Sequence, residues 1–216
     1  MRKAGLSPAL NIVVERDSIP AIPLATDAIL ITFPPAMDHT ALPTVVYYVA
    51  ASLDGFIATP EGGLDWLTRY DKDPEVAQDF PAFEQTIDSL VMGSKTYEFL
   101  LQHGTWPHPG KPCWVLTSRT LPALSPDILF TQATPRQILE EAAQRGCRRL
   151  WLVGGGAVAG TFQRDGLINE YRITYAPIIL GAGIPLFSPS TPDEPLRTVS
   201  VKPFACGLTQ IQLVRE

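Results

Sequence analysis

Leu150-Trp151-Leu152-Val153-Gly154-Gly155-Gly156-Ala157 is an apolar run of strand length, broken by three glycines and followed by a helix-forming stretch to Arg164. A strand that turns at once into a helix is half of a β-α-β unit, so this segment predicts a parallel sheet with helices packed on it. The same grammar recurs upstream: Ser89 to Met92 reads as a strand, Gly93 as a turn, and Lys95 to Leu101 as a helix. Cys113 to Thr117 and Ile128 to Thr131 are further strands, and Pro135 to Arg145 is a helix closed by Gly146. Val45 to Ser52 (VVYYVAAS) has the β-branched and aromatic content of a strand buried on both faces. After it come a break at Asp54-Gly55, a turn at Pro60 to Gly63, and a helix from Asp73-Pro74 to Thr86. Glu170 to Leu180, Leu196 to Lys202 and Leu208 to Val214 follow without intervening helices and predict antiparallel strands, the last two a hairpin at one edge.

The chain has 216 residues, 45% hydrophobic and 18% charged, with a net charge of −5. That length sustains one good core. The acidic balance argues against non-specific nucleic-acid binding, which needs a basic footprint. No apolar run approaches the ~18–20 residues that span a bilayer. Cys113, Cys147 and Cys206 form no C-x-x-C pair, which predicts free thiols and a cytoplasmic location. Residues 1–44 read differently from the rest, with Pro8, Pro20, Pro23, Pro34, Pro35 and Pro43 and only short apolar stretches. Arg2-Lys3 and the residues to Val14 imitate a signal peptide, but Ser7-Pro8 and Asn11 interrupt the apolar stretch. We expect a poorly ordered extension over 1–44 and a compact domain over 45–216.

Three predicted strand ends suit an anion. Val153-Gly154-Gly155-Gly156-Ala157 and Met92-Gly93-Ser94-Lys95-Thr96 each place glycine and a helix start directly after a strand. There free N–H groups and the positive end of the helix dipole attract phosphate. Thr117-Ser118-Arg119 adds two hydroxyls and a guanidinium after a third strand. In open α/β sheets such loops gather at the carboxyl edge, where ligands bind. Gly154-x-Gly156-x-x-Ala159 also fits the dinucleotide fingerprint of the Rossmann fold, but it falls late in the chain, and the next predicted strand has no carboxylate at its end. His39, His103 and His108 have no metal-ligand spacing, so no metal site is expected. Trp106, Trp114 and Trp151 read as core, and Cys113 and Cys147 as inert thiols.

Ser52-Leu53-Asp54-Gly55-x-Ile57-Ala58, Leu64-Asp65-Trp66, Met92-Gly93-Ser94-Lys95-Thr96-Tyr97, Thr117-Ser118-Arg119, Val153 to Gly156 and Pro177-x-x-Leu180-Gly181-x-Gly183-Ile184-Pro185-Leu186-Phe187 occur in that order. As a set they resemble the dihydrofolate-reductase-like superfamily, nearest the C-terminal reductase domain of the riboflavin-biosynthesis deaminase–reductases. The resemblance covers about residues 45 to 215, and there is no deaminase zinc signature. It implies an α/β fold of the dihydrofolate-reductase type: a twisted, mixed but mostly parallel sheet, helices on both faces, and a C-terminal antiparallel hairpin. It also implies NADPH as hydride donor to a small heterocyclic substrate. Gly154, Gly155, Gly156 and Ala157 would hold the pyrophosphate after Val153, with Gly93, Ser94, Lys95 and Thr96 covering it. Thr117, Ser118 and Arg119 would read the 2′-phosphate, and Ala50, Ala51 and Ile57 would flank the nicotinamide.

For proton supply the candidates are Asp54, Asp65 and Asp79, with Asp54 favoured as catalytic or substrate-binding group. Asp79-x-x-x-Phe83 matches the acid that faces pterin in dihydrofolate reductases. Pro81 and the short gap to Met92-Gly93 instead favour a surface position on the helix for Asp79. Trp66 is read as a pocket wall or a core residue. Arg69, Lys72 and Arg164 are the loose cations available to a substrate phosphate. The relatives pair through sheet edges, and Tyr171 to Leu180 is the strand that would suit a homodimer. Dihydrofolate reductase proper, and a non-catalytic nucleotide-binding module, stand as alternatives.

Overall fold

The computed structural model describes residues 41–102, 104–188 and 193–216. The expected N-terminal extension through residue 40, with its signal-peptide-like stretch and His39, lies outside the described residues, as does His103. Eight strands form one sheet, in the order β5-β4-β3-β6-β1-β7-β10-β9. The parallel members are β1 (Thr44–Ser52), β3 (Ser89–Gly93), β4 (Cys113–Leu116), β5 (Ile128–Thr131), β6 (Arg149–Gly154) and β7 (Glu170–Ala176). The hairpin of β9 (Leu196–Pro203) and β10 (Thr209–Arg215) adds antiparallel to β7. The sheet is therefore the expected mixed, mostly parallel one.

Helices cover both faces because parallel strands need crossovers. On one face, α4 (Pro135–Gln144) and α5 (Gly156–Arg164) bury Ile138, Leu139, Ala142 and Phe162 against Val45, Tyr47, Leu150 and Leu152. On the other, α2 (Pro74–Glu84) and α3 (Ser94–Leu101) bury Phe80, Phe83, Tyr97 and Leu100 against Val46, Leu90, Met92 and Trp151. Trp106, Trp114 and Trp151 are buried. Burial pushes the thiols of Cys113 and Cys147 up, away from the reactive thiolate.

Three elements escape a periodicity reading because they are so short: β2 (Phe56–Ala58), α1 (Asp65–Thr68) and β8 (Ile184–Pro185), of which β2 and β8 form a separate ribbon. The strand expected over Glu170 to Leu180 ends at Ala176, where Pro177 leaves the ladder. It is also no edge. Expected antiparallel, β7 instead runs parallel to β1 on one side and meets β10 antiparallel on the other, so it cannot carry an edge-to-edge homodimer; among the described residues the edges are β5 and β9.

Candidate functional site

The sheet order sets β4, β3 and β6 side by side, so the three predicted loops leave one carboxyl edge from adjacent strands. Their helices differ at the N-terminus from α2 and α4, though not from the single-turn α1, whose cap Leu64 also offers no side-chain acceptor. In α2 the Asp73 carboxylate accepts the N–H groups of Glu75 and Val76, and α4 carries a complete capping box of Thr134 and Gln137. The caps of α3 and α5 are Gly93 and Gly155, with no side-chain acceptor for the first-turn N–H groups. Two neighbouring helices thus present unclaimed donors toward one region, which suits a phosphate or pyrophosphate.

The three glycines have separate reasons. Gly154 has φ +130°, a conformation closed to most side chains. A Cβ on Gly156 would strike the carbonyl oxygen of Pro185. At Gly155 a Cβ would meet only the Thr96 hydroxyl, at 3.8 Å. Packing therefore accounts for Gly156, whereas a methyl group on Gly155, the cap of α5, would reach Thr96 of α3 in ordinary contact without a clash.

In the third loop the Thr117 hydroxyl accepts the N–H of Arg119 at 3.0 Å, Ser118 is exposed, and the Arg119 guanidinium is already engaged. Both its terminal nitrogens donate to Glu98 of α3, each at 2.8 Å. Lys95 is exposed on the first turn of the same helix.

The acids expected near the ring end separate. Asp54 lies exposed in the β1–β2 turn, where its two oxygens accept the N–H groups of Leu180 (3.1 Å) and Gly181 (2.7 Å). A hydrogen bond from Ser52 and those two N–H groups hold its carboxyl below the usual range, so this acid is an ionised loop tie. Asp65 is exposed on α1. The Ala51 side chain is fully buried on the α4/α5 face and offers a ligand only main chain. Ala50, of opposite parity, faces α2; the register Tyr47↔Leu152 places it level with the glycine turn of β6. Ile57 is half-buried on β2.

Asp79 is not a surface residue. Its side chain is 14% exposed and stands over a row of residues that crosses four strands, polar on three of them: Ala50 pairs with Thr174, Thr174 with Gln210, and Gln210 with Lys202. Tyr48 Oη and Gln210 Nε2 donate to its Oδ2 at 3.1 and 2.9 Å, and Lys202 Nζ to its Oδ1 at 2.7 Å. Burial alone would raise this carboxyl; the hydrogen bonds from Lys202, Gln210 and Tyr48 outweigh it and hold the group below its ordinary value. Helix α2 continues through Pro81, and Phe83 turns inward to stack on Tyr48 at 4.4 Å.

Asp79, Tyr48, Ala50 and Thr174 line a cleft closed by Leu67, Tyr70 and Phe204, with a cavity of about 40 Å³. Trp66 belongs to the buried cluster of Tyr70, Ala176, Phe204 and Leu208 that backs this cleft; its Nε1 is buried with no hydrogen-bond partner among the described residues. Arg172, whose guanidinium lies 5.8 Å from the Tyr48 ring centroid, and Arg69, 5.9 Å from that of Tyr70, stand beside lining residues of the cleft, while neither they nor Lys72 and Arg164 line it. Lys202, Gln210, Thr174 and Arg172 were not legible as site residues. Polar residues alternating along a C-terminal strand read as solvent-facing, and only the placement of α2 over them makes them a floor.

Among the described residues no three His, Cys, Asp or Glu side chains group as metal ligands, and no helix is long and apolar enough to cross a membrane. His108 is buried and bonded to Glu84 at 2.6 Å, a structural contact.

Residues 43–210 match the model of the RibD C-terminal domain. YwjB of Bacillus subtilis, itself uncharacterized, is 31% identical over 171 residues, covering 79% of this chain and 97% of that one. The riboflavin biosynthesis protein RibD of Bacillus amyloliquefaciens is 25% identical, over 66% of this chain and 48% of its own length. A Shewanella sp. PV-4 protein ascribed to riboflavin biosynthesis has the same fold, with TM-score 0.71 and 29% identity over 80% of this chain and 99% of that one. The Thermotoga maritima diaminohydroxyphosphoribosylaminopyrimidine deaminase/5-amino-6-(5-phosphoribosylamino)uracil reductase gives TM-score 0.63 at 17% identity, over 81% of this chain and 57% of that one. With its parallel sheet, uncapped carboxyl-edge loops and family match in agreement, the chain belongs to the RibD C-terminal domain family, a reductase-like branch of the dihydrofolate-reductase fold.

Proposed function

We propose that the chain is an NADPH-dependent reductase of a small heterocycle, related to the uracil-type reductases of riboflavin biosynthesis. The observation that carries this is the pair of uncapped helices α3 and α5 beside the Arg119 loop, one strand from a cleft that holds a half-buried ionised acid. The residues fit a dinucleotide. N–H groups of Gly155 to Ala157 and of Ser94 to Thr96 take the pyrophosphate, and Thr117, Ser118 and Arg119 take the 2′-phosphate. Ala50 and Ile57 flank the nicotinamide. When bound, NADPH supplies the hydride for a C=N or comparable group. The protein orients the ring, excludes water and places charge. Asp79 serves as a fixed acceptor that sets the substrate's orientation in the cleft.

At about 40 Å³ the cleft holds only a few water molecules, so a heterocycle enters by displacing Leu67 and Tyr70 at the short α1 and its following turn. Lys202 and Arg172 on the sheet face, with Arg69 beside Tyr70, supply cations for a substrate phosphate.

Titration with NADPH and NADH, followed by intrinsic tryptophan fluorescence, tests the reading. Saturable binding with a preference for NADPH is expected, followed by turnover of 5-amino-6-(5-phosphoribosylamino)uracil or a close analogue. If neither nucleotide binds, the reductase reading falls and the glycine loops are turns only. Binding without turnover of any heterocycle points to a nucleotide-binding module.

A further inference from the structure

We propose that Lys202 is a specificity-determining residue that bars amidine-type heterocycles, such as 2,4-diaminopyrimidines, from Asp79 and admits rings presenting an oxo acceptor instead. This rests on the cleft being the substrate site. An aminopyrimidine or protonated pterin recognises a carboxylate with two parallel N–H donors, one for each oxygen. A carboxylate offers about four acceptor positions. On Asp79 three are filled, from three different strands: Tyr48 of β1, Gln210 of β10 and Lys202 of β9. Gln210 is itself pinned by Thr174 Oγ1 at 3.1 Å, and Tyr48 by stacking on Phe83, so neither swings away freely.

Lys202 is held twice. Its ammonium sits 2.7 Å from Asp79 Oδ1 and 4.4 Å from the centroid of the Phe204 ring, which also lines the cleft. Placing two more cationic donors on this carboxylate requires expelling the ammonium and crowds like charges at one rim. An ammonium carries three N–H donors and only one is spent on Asp79. The others suit a carbonyl or an anionic oxygen. Donor and acceptor thus alternate across the rim, as they do along the edge of a lactam ring.

Trimethoprim (a 2,4-diaminopyrimidine) and 5,6-diaminouracil probe the two ring classes against the NADPH-bound protein by thermal shift and calorimetry. The wild type is expected to bind diaminouracil and to show no shift with trimethoprim. In Lys202→Met, whose side chain keeps the contact with Phe204, trimethoprim affinity should rise about tenfold or more and diaminouracil affinity should fall. Adding Asp79→Asn to Lys202→Met should remove the gained trimethoprim binding. Circular dichroism melts establish that each variant is folded. Wild-type protein that takes trimethoprim as tightly as Lys202→Met overturns the proposal, as does a wild type and variant that both ignore both probes. The NADPH titration on the same samples is a separate readout: if nucleotide binds and these ligand patterns fail, the inference on Lys202 falls alone.

Discussion

A guanidinium gripped by a carboxylate must exchange partners before it can receive a phosphate. Arg119 and Glu98 form such a pair, with side chains 52% and 35% exposed, and each stabilises the other's charge: hydrogen bonding raises the arginine and lowers the glutamate. An exposed pair of this kind holds weakly and is screened by salt. A 2′-phosphate can therefore displace Glu98 from Arg119, but the glutamate's charge remains close to a dianion. Glu98→Gln should strengthen NADPH binding severalfold at low ionic strength while leaving NADH nearly unchanged. Arg119→Ala should weaken NADPH about tenfold, the equivalent of losing one charge-assisted bond of roughly 1.5 kcal/mol. Fluorescence titrations with both nucleotides decide it, since an equal loss for NADPH and NADH would remove Arg119 from phosphate recognition. The Arg119 loop was legible because hydroxyls and a guanidinium directly follow a strand. Its partner was not, because Glu98 lies 21 residues away and no spacing rule joins a helix face to the next strand's loop.

At the scale of the element, the unit from β6 through its turn into α5 separates folding demands from binding demands within three residues. Gly156 faces the main chain of β8, whose Pro185 carbonyl leaves no room for a methyl group. Gly156→Ala should destabilise the fold by roughly 1–3 kcal/mol through forced backbone movement, read as a lower urea midpoint. Gly155 has φ −74° and only ordinary van der Waals contact waiting for a Cβ. Gly155→Ala should fold with an almost unchanged melting temperature and lose tenfold or more in NADPH affinity, because its methyl group would project from the cap of α5 toward Thr96 of α3. A Gly155→Ala protein that binds normally would show that the pyrophosphate does not approach this turn. Long elements were readable to within a residue or two: the helix beginning at Pro135 carries clear periodicity and punctuation, and the strand read from Val45 to Ser52 is found at Thr44–Ser52. The ribbon of β2 and β8, which creates the crowding at Gly156, has strands three and two residues long and no period to read.

Across the whole molecule, the alternation of strands and helices followed by strands alone made a parallel sheet with an antiparallel edge legible. The order of strands was not, since nothing local specifies that β7 is inserted between β1 and the closing hairpin; that insertion buries the strand expected at a dimer edge. It also carries the hairpin to α2, so that Lys202 reaches Asp79 across 123 residues of sequence. The folded-state carboxyl of Asp79 is held below its ordinary value of about 3.9. A depressed carboxylate contributes stability that is complete above the unfolded-state value and is lost as the pH falls through the folded-state value. Lys202→Met removes the ammonium but not the burial, so Asp79 rises toward or above its ordinary range and its contribution shrinks. The stability gap between wild type and Lys202→Met should therefore be largest near pH 7, on the order of 1 kcal/mol for an ion pair with one exposed partner. It should narrow as the pH falls, because Asp79 takes up its proton first in the variant and only at lower pH in the wild type, whose folded-state carboxyl is depressed. Urea unfolding at pH 7 and pH 3 measures the two gaps. A gap of equal size at both would mean that Lys202 contributes only its packing on Phe204 within the hairpin, and that the charge on Asp79 does not help to hold the last two strands against the second helix.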